Sequence, residues 1–503
     1  MPKKRFVEDW TSLELDASVE IPLYRQLYER IRAGILNGQL KAGTRLPATR
    51  TLAEQLGISR NTVTNAYEQL LAEGYITGKV GFGTTVAGVL PETYMRVSTT
   101  RISARKIIPP ASSLALSRRG QLFASTPHIP DAPGMLQGVV RPFRSGAPGL
   151  DMFPYDTWTQ LITRHLKQDL PSVSLYQETA GYRPLREAIA SYLGVSRGVY
   201  CVADQVIIVS GSQGGLDLAA RMLLDPGESA WMEDPGYPGA RGALLGAGAN
   251  VVAVPVDDEG LDVEAGQRLA PDARVVSVTP SHQFPLGVTM SLARRLSLLE
   301  WAKRTNAWIL EDDYDSEYRF CGRPLAALQG LDTAGRVIYI GTFSKVMFPS
   351  LRLGYLVVPS ELARNFAHAR RFIDTHSPIL EQLALTDFLN EGHFMRHIRR
   401  MRTLYASRRT YLTQLLQDEM ADMLEVDALE AGMTLIGWLP EGVDDQLVAR
   451  QAADYGVDVI PLSFFYAYPP VRGGLLFGYA AFDEQEIREG VRRLKEAIHA
   501  VGK

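Results

Sequence analysis

Cysteine is nearly absent from this 503-residue chain: only Cys201 and Cys321 occur. Two cysteines so far apart exclude a disulfide framework and the paired spacing of a structural zinc site. Long apolar runs are missing too, so no segment is expected to span a bilayer. The opening residues, MPKKRFVEDW, are basic but carry no apolar core. No secretory signal is expected, and a reduced, cytoplasmic compartment is. Charge of one sign is not in excess, since 53 Lys and Arg oppose 56 Asp and Glu for a net charge of -3. A surface for nucleic acid therefore has to be local. Internal repeats and low-complexity tracts are lacking. What the chain has is length and apolar content. At 46% apolar it can build a large core, and its length calls for two or three units.

The first unit is expected over residues 17–88. PLYRQLYERIRAGIL is amphipathic, with Leu23, Leu27, Ile31 and Ile35 on one stripe. ATRTLAEQLG is a short second helix stopped by Gly57. SRNTVTNAYEQLLAEG is a third, with Ser59 as N-cap and Gly74 as stop. Val63, Ala66, Tyr67, Leu70 and Leu71 fall on its inward face, which leaves Arg60, Asn61, Thr64 and Asn65 outward. YITGKVGFGTTVAG reads as two short strands around a glycine turn. Three helices and a hairpin make a winged helix-turn-helix. Its third helix can lie in a major groove, with Arg60, Asn61, Thr62 and Thr64 near the base edges. Arg45 and Arg50 flank the second helix, and Lys79 sits in the wing. The alternative is a three-helix module that binds protein.

Residues 89–113 break the pattern with three prolines and little periodicity. Thr93 to Pro130 contains no acid, whereas Arg96, Arg101, Arg105 and Lys106 are basic. This segment is a linker, either a solvated tether or one that also touches DNA phosphates. Residues 114–503 then read as α/β. VIIVS, VVAVPV, VVSVTP, WIL, VIYIG and LGYLVV alternate with helical stretches, which implies a mainly parallel sheet. A smaller α+β lobe follows from about residue 390.

Polar motifs follow these strands, where open α/β sheets collect ligands. Asp312 ends a strand in ILEDDYDSEY, and Lys345 follows one in VIYIGTFSKVMFPSLRLGY. An acid at one strand end and a lysine at another are what pyridoxal phosphate (PLP) requires. The lysine binds its aldehyde covalently, and the carboxylate keeps the pyridine nitrogen protonated. Thr342, Ser344 and Arg352 surround the lysine and suit a phosphate. SGSQGGLDLAARMLL opens a helix after a strand, a second place for phosphate. Tyr237 in EDPGYPGAR either stacks on a ring or packs as a loop aromatic. SHQFPLG is another turn at a strand end. The acids of EDDYDSEY also suggest a metal, but they lack an EF-hand spacing and a nearby histidine. No metal is expected.

Two resemblances follow. AGTRLPATRTLAEQLGISRNTVTNAYEQLLAEGYI and GFGTTV resemble the reader of the GntR regulators. That resemblance implies DNA contacts from Arg45, Thr49, Arg50, Ser59, Arg60, Thr62 and Gly83. The remainder is similar to fold-type I PLP aminotransferases, and the fusion of the two resembles the MocR/GabR subfamily. This implies Lys345 as the PLP lysine, Asp312 at the pyridine nitrogen, Tyr314 at the ring hydroxyl and Tyr237 on the ring. It also implies phosphate contacts from Ser212, Gln213, Thr342, Ser344 and Arg352, with Tyr176 reaching the partner subunit's phosphate in a homodimer.

The chain departs from the aminotransferase pattern twice. Phe284-Pro285 stands where those enzymes carry Asn-Pro, and LLFGYAAF, with Ala480 and Ala481, lacks their carboxylate-clamping arginine. Arg241 and Arg472 are the candidate substitutes for an effector's carboxylate. The expected function is a cytoplasmic, PLP-dependent regulator of transcription that binds double-stranded DNA. It senses a small amine, an amino acid or PLP itself without efficient turnover. The alternative is a working aminotransferase with an autoregulatory reader.

Overall fold

The computed structural model describes residues 10, 15–16, 18–19, 21–79, 83–89, 116–132, 140–168, 174–320, 326–426 and 431–501. The chain divides into two compact units, Met1–Leu114 and Ala115–Lys503. All of the expected linker 89–113 beyond Val89 lies outside the described residues, as does the wing turn at 80–82.

In the first unit, helices α1 (Leu23–Leu36), α2 (Thr49–Leu56) and α3 (Arg60–Ala72) precede strands β1 (Ile76–Lys79) and β2 (Gly83–Val86). The strands pair antiparallel, Ile76 opposite Val86 and Lys79 opposite Gly83. Gly57 ends α2 in the left-handed region at φ 65°, a conformation that costs glycine least. Leu27, Ile31, Leu52, Val63, Ala66, Tyr67 and Leu70 share one core. Leu71 does not join them, because it is 49% exposed. Leu70 already fills the core at that level, and the next residue along a helix turns away by about 100°.

The second unit is built on an eight-stranded sheet in the order β3-β10-β9-β8-β7-β4-β5-β6. The strands are β3 (Val206–Val209), β4 (Ser229–Asp234), β5 (Asn250–Asp257), β6 (Gly260–Leu261), β7 (Val275–Val278), β8 (Trp308–Asp313), β9 (Val337–Thr342) and β10 (Gly354–Val357). β9, β8, β7, β4 and β5 run parallel. β10 is antiparallel to both its neighbours, and Gly354 lies opposite the last residues of β3 and β9. The loop that enters β10 therefore arrives where the parallel strands end.

Strand alternation sorts side chains between the two faces. Ile207, Val209, Leu310, Ile338 and Ile340 pack on one side with Leu216 and Phe366 from helices. Val206, Ile208, Tyr339 and Tyr355 contribute to another core, and Trp231, Val276 and Ile309 to a third with Trp301. A smaller four-stranded antiparallel sheet, β11-β12-β14-β13, forms the C-terminal lobe. It comprises β11 (Glu425–Val426), β12 (Thr434–Trp438), β13 (Ile460–Pro461) and β14 (Gly474–Gly478). The 28-residue helix His393–Met420 and the helix Glu484–Val501 belong to the same lobe.

Trp231 and Trp301 stack at 3.9 Å between ring centroids, both fully buried. Trp231→Ala removes this ring pair and is expected to destabilise the large unit by about 3–5 kcal/mol. Chemical denaturation followed by near-ultraviolet circular dichroism checks it. A loss under about 1 kcal/mol, the centre of the range for ordinary point changes, would place the sheet's strength elsewhere.

Candidate cofactor site and DNA-reading surface

Five segments converge at the carboxyl end of the sheet. β8 delivers Asp312, and the turn after β9 delivers Lys345. The helix Gly211–Leu223 begins directly after β3 and brings Ser212 and Gln213. Tyr237 precedes the helix Pro238–Ala247, and Arg352 leads into β10. Together with Tyr314, Thr342 and Ser344 these residues line one cavity of about 390 Å³. Every residue expected to hold PLP is there except Tyr176, which is 89% exposed and stands edge-on to His376.

Asp312 is buried, and its Oδ1 has no hydrogen-bond partner. Burial, reinforced by the charge of Asp313, pushes its pKa from 3.8 up to about 7. Lys345 is pulled below its ordinary value by burial, against the attraction of Asp315 and Asp312. Backbone packs tightly against the lysine: a Cβ at Gly146 would meet its Nζ at 2.6 Å.

The phosphate end is equally specific. Ser344 Oγ is buried without a partner. The Arg352 guanidinium donates to the Ser210 carbonyl at 2.8 Å. A Cβ at Gly211 would come within 3.1 Å of that guanidinium, and Gly211 has φ +80°. The glycine thus lets an arginine lie against a helix N-terminus, where amides and guanidinium both favour an anion. Gln213 donates to the Gly239 carbonyl at 2.9 Å.

EDDYDSEY divides its acids by strand parity. Glu311 accepts the Leu328 and Gln329 amides at 2.7 and 2.8 Å. Asp313 accepts from Arg197 Nε at 2.7 Å and from the Tyr339 hydroxyl at 2.5 Å. Asp312, between them, faces the opposite way and lines the cavity. Asp315 sits 3.1 Å from His282 Nδ1, and the Tyr314 hydroxyl lies 2.9 Å from the same nitrogen. Sequence reasoning assigned no role to His282. Its motif, SHQFPLG, was visible, but the separation of 33 positions between His282 and Asp315 hid the contact. Phe284 stands edge-on to both Tyr237 and Tyr314, with centroids 6.0 and 5.8 Å away. An aromatic ring thus occupies the position expected for a polar asparagine.

Neither candidate for the missing arginine lines the cavity. Arg241 lies beside Asp234, whose carboxylate feels its charge. Arg472 donates to the Leu439 carbonyl at 2.7 Å and to Glu425 at 2.7 Å. Ala480 offers its carbonyl to Arg408.

In the small unit, Arg60 and Asn61 are exposed at the start of α3, while Thr62 and Thr64 are half-buried. Ser59 caps the helix by accepting the Thr62 amide at 3.1 Å. The Thr64 hydroxyl donates to the Arg60 carbonyl at 3.0 Å. Arg45 lies across the wing, since a Cβ at Gly83 would meet its Nε at 3.0 Å. Arg50 pairs with Glu54 at 3.2 Å on α2, which Thr49 begins.

Comparison with known proteins agrees with both halves. Residues 23–86 match the family of bacterial regulatory proteins, gntR family, and residues 149–494 match aminotransferase class I and II. The probable rhizopine catabolism regulatory protein MocR of Rhizobium meliloti is 44% identical over 97% of this chain and 96% of its own. The regulator TauR of Rhodobacter capsulatus is 33% identical over 95% and 96%. The crystal structure of LysN, the alpha-aminoadipate aminotransferase of Thermus thermophilus, aligns with TM-score 0.67 at 30% identity, covering 72% of this chain and 92% of that one. Fold and site define a GntR-type DNA reader fused to a fold-type I aminotransferase domain. The chain belongs to the MocR-type transcriptional regulators. Its cofactor is PLP, and the cavity fits it. The orphaned Asp312 oxygen suits the pyridinium, the orphaned Ser344 hydroxyl and Arg352 suit the phosphate, and Lys345 suits the aldehyde. When bound, PLP supplies an electrophilic carbon for amines and a ring that withdraws electrons from it.

Asp312→Asn is expected to act with opposite signs in two forms of the protein. The carboxyl's pKa is raised on folding, so its ionised form costs stability. That cost is absent below about pH 4, grows as the unfolded chain ionises, and is complete above about pH 7. The PLP-free variant should therefore melt higher than the PLP-free parent at pH 8 and no higher at pH 4. The PLP-loaded variant should lose cofactor faster on dialysis. Lower melting of the PLP-free variant at pH 8 would mean that Asp312 is not the unpaired charge described.

Proposed function

We propose that this regulator is a cytoplasmic homodimer whose large domain, 114–503, senses a small amine or amino acid through PLP on Lys345. Residues 17–88 read DNA through Arg45, Thr49, Arg50 and the exposed start of α3. The observation that carries the sensing role is a divided site. Lys345, Asp312 and Tyr314 line one cavity, while the clamp that orients an amino acid for turnover has no arginine. A guanidinium–carboxylate pair holds the α-carbon for proton removal, and misplacing it by about 1 Å costs on the order of a hundredfold. The site can therefore take up an amine and hold it. A long-lived liganded state suits a switch whose equilibrium the effector shifts.

The individual roles we assign are these. Asp312 holds the proton on the ring nitrogen. His282, between Asp315 and Tyr314, sets which way the Tyr314 hydroxyl donates. Phe284 keeps water from the ring edge. The 89% exposure of Tyr176 fits a side chain that completes the neighbouring subunit's phosphate site. No helix of the described residues is long and apolar enough to cross a membrane.

Three measurements test this reading. Lys345→Ala should abolish the visible absorbance of protein-bound PLP and its borohydride-reducible linkage. A variant that keeps a reducible adduct would move the cofactor to another lysine. In a coupled assay with a broad panel of amino donors and keto acids, turnover should stay far below about 1 per second. Turnover at that rate from any natural pair would make the protein an aminotransferase instead. Arg60→Ala should lose roughly 1–3 kcal/mol of operator affinity, with relaxed specificity at one base position. Unchanged affinity would take α3 out of the groove.

A further inference from the structure

The cavity's charges constrain what else it accepts. Among the described residues that line it, Lys345 and Arg352 are the only lysine and arginine. Lys345 is taken by the cofactor, and Arg352 stands at the phosphate end, held to the Ser210 carbonyl. The lining histidine, His128, is exposed at the rim. Nearby arginines are already committed. The Arg144 guanidinium, next to the lining residue Ser145, pairs with Asp458 at 2.8 Å, and Arg408 serves the Ala480 carbonyl.

Away from the residues that suit PLP, the described lining offers uncharged Ser145, Thr279 and Thr434 beside an apolar patch. Ile129, Phe284 and Met433 form that patch. Phe284 is backed by Phe465 and packs in the same cluster as Leu476 of β14. The strongest charge acting on Lys345 is that of Asp315, a carboxylate that also lines the cavity. A second carboxylate brought here would be buried without a cationic partner and would face a charge of its own sign.

We infer that the effector is a primary amine carried on an uncharged skeleton, and that amino acids with a free carboxylate are discriminated against. This rests on the reading of the cavity as a PLP-based sensor. Its amine reaches the cofactor at Lys345, and its uncharged substituent lies against Ile129, Phe284 and Met433.

The test uses the full-length, PLP-loaded protein and pairs of ligands that differ only by a carboxylate. Isoamylamine is set against leucine, phenethylamine against phenylalanine, and ethanolamine against serine. Calorimetric titration and the shift of the PLP absorbance band give the affinities. At least one amine should bind about tenfold or more tightly than its amino acid, and no pair should show the reverse. Asp315→Asn, checked first for its PLP absorbance, should shrink the ratio by about threefold or more by weakening the repulsion. No pair in which the amine binds about tenfold more tightly, any pair in which the amino acid binds more tightly, or a ratio unmoved by Asp315→Asn overturns the inference and leaves the sensing role standing. Failure of every amine and amino acid to bind overturns both.

Discussion

The cofactor site of the large domain is organised around one buried carboxylate. Asp312 is enclosed, with one oxygen unpartnered, on a strand surrounded by other strands. A protein does not keep an unpaired acid at such a place without a reason, because burial disfavours its charge. Its neighbours differ from it in their partners. Glu311 and Asp313 are buried as well, yet each has strong hydrogen-bond donors. Only Asp312 is left with an oxygen free toward a cavity that also holds Lys345. A cationic ring nitrogen resolves the imbalance, and the sheet is the scaffold that holds the acid ready for it.

The rest of the site follows from strand direction. Parallel strands end together, so loops of distant sequence meet at one edge. The reversal at β10 adds a part that a purely parallel sheet would not supply. Because Gly354 lies opposite Val209 and Thr342, Arg352 enters beside the first turn of the helix Gly211–Leu223. Cation, helix amides and hydroxyls are thus gathered for a single anion. Ile129, Phe284 and Met433 add an apolar patch to the same cavity.

Some of this was legible in residue order and some was not. The helix lengths of the reader follow from Gly57, Gly74 and the Ser59 cap, because those signals act within a few residues. The inward face of α3 was read one position too wide: Leu71 has the right chemistry for the core, but its rotation about the helix takes it outside. The cofactor set was readable because each of its members follows an apolar strand run and carries distinctive chemistry. His282 was not, since its partners Tyr314 and Asp315 come from the next strand over. Arg241 and Arg472 have suitable chemistry for an effector's carboxylate, but their chain positions gave no hint of their actual neighbours, Asp234 and Glu425.

Local sequence by itself determined the kinds of structure and the cofactor. Apolar periodicity, caps and glycine turns are short-range, and a lysine, an acid and small hydroxyl residues at strand ends have few uses together. Tertiary structure alone decided which acid of EDDYDSEY stays unpaired, which arginines are already spent, and which residues form the cavity's apolar patch. Those are questions of direction and distance between segments far apart in the chain. A side chain's charge is written in its residue type, but whether that charge is satisfied depends on what the fold brings within reach of it.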